Sequence, residues 1–317
     1  MKTKVSFIVV VICLMTGLKV LAQSDITMTT HWNNRANYNP AFIARTDYLY
    51  LFSNVRNQWA GVDGSPKVFN VQVSEYFHNL RSAFGVSVVG DKIGVTRAYN
   101  PMLSYAYRIA KDDDFSFSMG LSVGMFYRSV EGSLFEAEII NDPSLRYSKE
   151  EIIQPDANVG VEFHSPYFIL GISSTHLLSI GSDDQSFLNA NHRYGYAIYK
   201  NNNLEFLFYK VGLLVTNRDN LTVAEGNVFV RFKHSTGLLK GPREVIDLGL
   251  SYRTSRQLAL MIGVMTSPNL RVGYAYETSF LPGYNQNGTH EIMIEYRIFS
   301  KAASTRVRCG DYLFWYH

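Results

Sequence analysis

Gly120–Gly124 reads Gly-Leu-Ser-Val-Gly and matches the G-x-S-x-G pattern of serine hydrolases, in which the serine is the nucleophile. That chemistry requires the serine on a sharp turn between a strand and a helix, with its oxygen exposed above a sheet. Ser122 instead stands within an unbroken alternation of apolar and small residues that runs from Phe115 to Met125. Its position favours a small residue on one face of a strand over a catalytic nucleophile.

The other groups with chemical potential are isolated. His290-Glu291 lacks the second histidine, four residues on, of a zinc-protease helix. Asp112–Asp114 lacks the spaced ligands and the glycine of a calcium loop, which favours a solvated turn. The eight histidines are scattered along the chain. We therefore predict no catalytic residues, no metal ligands and no cofactor, and we predict that the protein is not an enzyme.

The stretch that contains Ser122 is better explained as a membrane strand. From Phe115 to Met125 the odd positions are apolar and the even positions are Ser or Gly. Strict alternation predicts a β-strand with two unlike faces. The stretch is close to the roughly 9–11 residues that a tilted strand needs to cross a bilayer. One face would meet lipid, and the other would line a lumen.

The same pattern recurs along the chain in about fourteen segments, an even number as expected for a single-chain bacterial barrel. In the C-terminal half, charged residues fall on the face opposite the aliphatic residues. The predicted strands are Tyr48–Arg56, Lys67–Glu75, Ala83–Asp91, Pro101–Ala110, Phe115–Met125, Asn158–His164, Tyr167–Thr175, Arg193–Lys200, Leu204–Thr216, Val223–Lys233, Val245–Arg253, Gln257–Thr266, Leu270–Glu277 and Thr289–Phe299. We predict an all-β fold, a transmembrane antiparallel up-and-down β-barrel of about 14 strands. A water-soluble double sandwich is the rival, but it needs polar outer faces that these strands lack.

The N-terminus has the form of a secretory signal peptide. Lys2 and Lys4 precede the apolar run Val5–Met15, and the small residue Ala22 offers a cleavage site before Gln23. We therefore divide the chain into a signal peptide (1–22), an N-terminal polar segment (23–47), a β-barrel (48–299) and a C-terminal tail (300–317). The predicted location is the cell outer membrane, after cleavage near Ala22-Gln23.

Charge and cysteine content exclude other classes of protein. The predicted signal peptide contains three lysines and no acid, so the mature chain has 27 bases against 27 acids. This balance argues against a nucleic-acid partner. Only Cys309 remains after cleavage, which rules out an intrachain disulfide. The mean hydropathy of −0.07 suits a barrel, because lipid-facing and lumen-facing residues cancel along each strand.

Loop lengths indicate an orientation. If both ends of the mature chain lie in the periplasm, the loops after odd-numbered strands face outward. Those loops are mostly long, namely Asn57–Pro66, Val130–Ala157, Leu178–His192 and Phe280–Gly288. Most loops after even-numbered strands are short, although His234–Glu244 is long and Thr254–Arg256, after an odd strand, is short. Short periplasmic turns and longer outer loops are the expected asymmetry.

The stretch from Asn39 to Pro66 contains more Gly, Pro, Trp and Arg residues than a hairpin turn needs. The candidate partner-binding or structural residues are Asn39, Pro40, Arg56, Gln58, Trp59, Gly61, Gly64 and Pro66. In the structural interpretation, Trp59 sits at the membrane interface, Arg56 pairs with a lumen carboxylate and the glycines permit the turn. In the functional interpretation the stretch is a surface for a partner. The two are compatible.

These residues resemble the PorP/SprF family of outer-membrane proteins of the type IX secretion and gliding-motility system. The resemblance rests on N-P-A-F at Asn39–Phe42, R-N-Q-W-A-G-V-D-G-S-P at Arg56–Pro66 and F-G-V-S-V-V-G-D-K-I-G at Phe84–Gly94. It continues in Tyr105-Ala106-Tyr107 and ends in G-T-H-E-I at Gly288–Ile292. The chain departs from the family in lacking a glycine soon after N-P-A, and in its tail with Cys309 and an aromatic cluster.

The resemblance implies a non-enzymatic barrel that works with the type IX machinery. Its implied partners are periplasmic ring components, a secreted cargo protein such as a gliding adhesin, and outer-membrane lipid. The implied role is to dock cargo, or to support its secretion and surface attachment. The alternative is a transport barrel for a small solute or a hydrophobic ligand. In that case the predicted lumen charges Asp247, Arg253, Arg271, Glu295 and Arg297 would line a path, unless they pair and seal it.

Overall fold

Fourteen antiparallel strands form a closed barrel in the computed structural model of the chain. The structure describes residues 28–45, 48–110, 115–132, 148–179, 190–201, 203–204, 206–218, 221–234, 243–267, 269–280 and 287–298. The predicted signal peptide, Asp112–Asp114, Cys309 and the C-terminal tail lie outside the described residues.

Each strand pairs with its sequence neighbours, and β1 closes the barrel against β14. The strands are β1 (Leu49–Asn57), β2 (Lys67–Phe77), β3 (Ser82–Ile93), β4 (Thr96–Ala110), β5 (Ser116–Glu131), β6 (Lys149–His164), β7 (Phe168–Thr175), β8 (His192–Asn201), β9 (Leu207–Arg218), β10 (Leu221–His234), β11 (Arg243–Arg253), β12 (Gln257–Ser267), β13 (Leu270–Ser279) and β14 (Thr289–Ile298). The prediction of a barrel of about fourteen strands is confirmed.

The two faces of β5 differ as the alternation predicts. Leu121 and Met125 on its outer face are 44% and 54% exposed, whereas Ser118 and Ser122 on its inner face are 2% and 3% exposed. Large apolar side chains also cover the outer faces of the other strands, as a lipid-facing surface requires.

Several strands are longer than predicted; β4, for example, begins at Thr96 rather than Pro101, and the largest difference lies between β5 and β6. The predicted loop Val130–Ala157 is in part strand, because β5 continues to Glu131 and β6 begins at Lys149. β6 pairs with β5 along its whole length but with β7 only from Val159 onward. The added part of β6 contains Pro155 and several charged residues, so it shows no lipid-facing alternation. Cross-strand hydrogen bonds, rather than lipid, therefore define this part of the strand.

The barrel has a rim end, at which β1 ends, and a base end, at which β1 begins and β14 ends. The base end carries short connections, such as the 3₁₀ helix His78–Leu80 between β2 and β3 and the turn Ser165–Tyr167 between β6 and β7. The rim end carries the connection from β1 to β2. Within the part of the chain that the structure describes, no helix is long and apolar enough to span a membrane.

The residues before β1 enter the barrel. Met28–Arg45, which we call the lumen segment, contains the 3₁₀ helices Thr29–Trp32 and Pro40–Arg45. Both helices are fully buried, and the side chains around them belong to the inner faces of the strands. The segment runs through the barrel from a level near Asn54 of β1 to the base end.

Candidate functional site

The lumen segment begins against two carboxylates near the rim end. Glu291 of β14 accepts hydrogen bonds from the backbone N–H groups of Thr29 and Thr30, at 2.8 and 3.1 Å. The hydroxyl of Thr29 donates to Glu277 of β13 at 3.1 Å. These bonds use N–H groups at the start of a helix that have no partner within the helix. The start of the segment is thereby fixed to the barrel wall.

The middle of the segment is held from two sides. Trp32 Nε1 donates to Glu225 of β10 at 2.6 Å, and Asn34 Nδ2 donates to Gln72 of β2 at 2.7 Å. The Trp32 ring lies against Gly212 of β9, where an added Cβ would overlap it. A large rigid ring thus fits where the wall has no side chain.

Glu162 of β6 holds the base half of the segment. Arg35 and Arg45 lie 3.3 and 3.1 Å from its carboxylate oxygens, and the Tyr196 hydroxyl donates to it at 2.5 Å. The segment and the wall are therefore joined here by buried ion pairs.

Asn39-Pro40-Ala41 lies against the inner face of the barrel wall, at a place where the wall has two glycines. Asn39 is fully buried; its Nδ2 donates to the Val161 carbonyl and the Tyr196 hydroxyl, both at 2.9 Å. Its Oδ1 accepts from the Ala41 N–H at 3.0 Å, as expected of an Asn at a helix N-cap, and Pro40 fits the first helical position.

These glycines are Gly120 of β5 and Gly160 of β6, which are paired with each other and lie directly beneath the segment. A Cβ on Gly120 would overlap the backbone of Ala41, and one on Gly160 would overlap the Asn39 side chain. The G-x-S-x-G stretch therefore provides close backbone approach for the lumen segment.

Arg56 lies within the lumen, close to the rim end of β1. Its guanidinium is 2.7 Å from Glu277 and 3.3 Å from Glu291, and it donates to the Thr29 hydroxyl at 3.0 Å. The interpretation of Arg56 as the partner of a lumen carboxylate thus agrees with the geometry, and the arginine also contacts the lumen segment.

Gln58–Pro66, which we call the rim loop, links three hairpins at the rim end. Its Ala60 exchanges backbone hydrogen bonds with the connection before β14, and Gly64 accepts one from Gly94 between β3 and β4. Trp59 has φ +53°, and Gly61 and Gly64 also have positive φ. The glycines suit the left-handed conformation, whereas Trp59 adopts it at a steric cost. The loop is an ordered, half-exposed surface.

The structure thus places the eight predicted residues in three locations. Asn39 and Pro40 lie in the lumen, Arg56 lies on the inner barrel wall, and the other five belong to the rim loop. The prediction did not include the wall carboxylates Glu162, Glu225 and Glu277, to which the lumen segment binds. The signal in the sequence was that these carboxylates occur at inward-facing positions of the strands, where a buried charge needs a partner.

The predicted lumen charges form ion pairs. Arg253 contacts Glu225 and Glu277, with 2.9 Å to the latter. Asp247 contacts Arg231, and lies 2.8 Å from Arg271. Glu295 and Arg297 are 3.1 Å apart. Among the described residues, no group of three or more His, Cys, Asp or Glu could hold a metal ion. The five predicted lumen charges thus all take part in ion pairs inside the barrel.

Ser122 has a structural partner, since its hydroxyl lies 2.7 Å from that of Ser104 on the neighbouring strand. We expect Ser122→Ala to leave assembly of the barrel unchanged and to cost about 1 kcal/mol of stability at most. Heat-modifiable migration on gels and the midpoint of denaturant unfolding check this. Failure of the variant to assemble, or a loss of several kcal/mol, would contradict it.

The apolar outer faces, the closed sheet and the segment inside it define an outer-membrane β-barrel whose own N-terminal residues occupy its lumen. Residues 20–296 match the model of the family described as "Type IX secretion system membrane protein PorP/SprF". The chain belongs to this family, and it is a membrane protein of the type IX secretion system located in the outer membrane.

Three solved structures are similar to this chain at low sequence identity. The toluene transporter TodX of P. putida aligns over 84% of this chain and 94% of its own, with 8% identity and a TM-score of 0.51. Omp33 of Acinetobacter baumannii aligns over 79% and 98%, with 10% identity and a TM-score of 0.45. A Pseudomonas aeruginosa FadL homologue aligns over 81% and 92%, with 12% identity and a TM-score of 0.43. No curated protein matches the sequence.

Proposed function

We propose that the protein is a docking barrel, which supports secretion and surface attachment of a cargo protein by the type IX machinery and does not itself conduct solutes. The observation that carries this proposal is the lumen segment, which is bound to the inner wall from the rim half to the base end. A barrel with its interior occupied in this way works through the surfaces at its two ends.

The rim loop is the proposed cargo surface. Val62 is 39% exposed, and Asp63 beside it is exposed as well. The loop is fixed by backbone hydrogen bonds to two other hairpins, so little conformational freedom is lost when a partner binds. If the chain termini face the periplasm, the rim loop faces the cell surface, where a cargo adhesin is attached. The short turns of the base end then face the periplasmic ring components.

A single substitution tests the role of the rim loop separately from the assembly of the barrel. We expect Trp59→Gly to preserve the backbone, because glycine adopts positive φ readily, while removing the large aromatic side chain. Aromatic anchors contribute at least about 2 kcal/mol to protein interfaces, which corresponds to roughly 30-fold in affinity. Surface-exposed cargo should therefore fall strongly, while the amount of assembled barrel in the outer membrane stays the same. Surface labelling and heat-modifiable gel migration measure the two quantities.

Arg256→Gly is the matched control, since Arg256 also has positive φ and lies in another rim-end connection. Normal cargo display with Trp59→Gly, or an equal loss with both variants, would contradict a specific role for the rim loop. Normal secretion and motility after deletion of the gene would contradict the docking function itself.

Conductance in planar bilayers distinguishes a docking barrel from a transport barrel. We expect the purified wild-type barrel to show no steady conductance, because the lumen segment occupies its interior. A steady open pore formed by the wild-type protein would favour transport of a small solute instead.

A further inference from the structure

Three cations lie side by side at the rim end of neighbouring strands. Lys67 begins β2, Lys92 lies at the end of β3, and Arg97 lies at the start of β4. The register pairs Lys67 directly with Lys92, and Lys92 directly with Arg97. All three residues are exposed. Because neighbouring strands are about 4.8 Å apart, this cation row (Lys67, Lys92 and Arg97) spans only about 10 Å of the wall.

The cation row lies on the outward face of the barrel. Each of its members is an even number of positions away from an exposed apolar residue of its own strand, namely Phe69 of β2, Val86 of β3 and Tyr99 of β4. Since side chains along a strand alternate between its two faces, the three cations point to the same side as these apolar residues. They therefore stand outside the barrel rather than in its lumen.

Aromatic side chains lie next to the cation row on the side of the base end. The ring centroids of Phe69 and Tyr99 are 6.3 Å apart, and Tyr99 stacks on Tyr127 of β5 at 6.1 Å. Between them is Gly90 of β3, where an added Cβ would overlap the Phe69 ring and lie 3.0 Å from that of Tyr99. Aromatic residues of outer-membrane barrels concentrate at the headgroup level of the membrane. The cations, one outward position further along, thus lie where headgroup charges are found.

No acid is in register with the cation row. Asn57 of β1 lies opposite Lys67 on one side, and Ser129 of β5 lies opposite Arg97 on the other. Glu131 is two residues beyond Ser129, and in the part of the chain that the structure describes none of the three cations forms an ion pair. Like charges directly opposite each other on neighbouring strands destabilise a sheet. A bound anion would remove this repulsion.

We propose that the cation row binds the phosphate groups of lipopolysaccharide in the outer leaflet of the membrane. A guanidinium binds phosphate oxygens in pairs, and ammonium groups add point charges. Clusters of Lys and Arg at a membrane boundary are typical of sites for anionic headgroups. The position on the outward wall, beside the aromatic side chains, favours a lipid over an acidic protein. If the chain termini face the periplasm, the row faces the outer leaflet. This site is independent of the docking function.

The test uses the full mature chain in detergent, with three probes: lipopolysaccharide, the same glycolipid after removal of its lipid A phosphates, and phosphatidylglycerol. We expect saturable binding of intact lipopolysaccharide and clearly weaker binding of the other two. Lys92→Gln, which removes the central cation, should weaken binding about fivefold, and substitution of all three cations by Gln should weaken it roughly 100-fold. Arg193→Gln is the matched control, because Arg193 is exposed on β8 between Ser174 and Asn217, without a neighbouring cation, and should leave the affinity unchanged.

A second readout is thermal stability. Without lipid, the triple Gln variant should melt no lower than the wild type, because it removes repulsion between the cations. Lipopolysaccharide should raise the melting temperature of the wild type more than that of the triple variant. Equal affinity for the dephosphorylated glycolipid would show binding through acyl chains and would overturn the proposal. Equal affinity for phosphatidylglycerol would overturn the assignment to lipopolysaccharide, and equal affinity in the triple and Arg193 variants would overturn the site.

Discussion

Replacement of Gly120 by valine is expected to displace the lumen segment from the wall and to open the barrel to ions. A Cβ at this position overlaps the backbone nitrogen of Ala41 and lies 2.7 Å from its Cα. Backbone atoms do not rotate away as a side chain does, and Pro40 makes this part of the segment stiff. The overlap is therefore relieved by movement of the whole segment.

The expected readout is a steady conductance in planar bilayers, in contrast to the wild type. Loss of close packing should also lower the free energy of unfolding by about 1–3 kcal/mol. The barrel itself should still assemble, because β5 keeps its pairing with β4 and β6. Heat-modifiable migration on gels verifies assembly before the conductance is measured.

Gly226→Val is the matched control. Gly226 faces outward on β10, and a Cβ there meets nothing within 4 Å. If both variants remain closed, the lumen segment is not what closes the barrel. If both conduct, the added side chain perturbs the barrel in general. Only conductance specific to Gly120→Val supports the segment as the plug.

The strands could be predicted because lipid imposes a simple rule on them. A barrel strand must present apolar residues outward at every second position, and β5 follows this rule from Phe117 to Met125. Where lipid does not constrain the chain, the rule gives no signal. The start of β6 at Lys149 was accordingly missed, since Glu150 and Pro155 interrupt the pattern.

The lumen segment could not be predicted from its own sequence. It has no long periodic element, and its partners are distant in the chain, as in the bond from Thr29 to Glu291. Local pattern contains no information on such contacts. The inward charges on β6, β13 and β14 indicated that partners were needed, but the sequence did not show that residues before β1 supply them.

Substitution of Arg56 by methionine is expected to cause the largest loss of stability. Methionine keeps much of the volume and removes the charge, which leaves Glu277 paired with Arg253 and leaves Glu291 buried without the Arg56 guanidinium. Loss of one member of a buried ion pair costs about 3–5 kcal/mol, because the remaining charge stays in a medium of low polarity. The midpoint of guanidinium chloride unfolding in lipid vesicles measures this loss.

Two further variants test the cause. Arg56→Met combined with Glu291→Gln should recover part of the loss, because the glutamine removes one unpaired charge and keeps an acceptor for Thr29 or Thr30. Arg56→Lys should lose less than Arg56→Met, because an ammonium group still pairs with one carboxylate. Arg193→Met, at an exposed position of β8, is the control and should be near neutral.

Arg56 and Trp59 are close in sequence, but we expect their substitutions to have different effects. Arg56→Met should reduce surface cargo only in proportion to the amount of assembled barrel, because its contacts are with Glu277, Glu291 and the lumen segment. Trp59→Gly should reduce cargo while the barrel remains assembled. If Arg56→Met instead abolishes display from a normal amount of stable barrel, the arginine acts directly on a partner. The two interpretations of the stretch from Asn39 to Pro66 then apply to one surface, rather than to the separate lumen and rim sites.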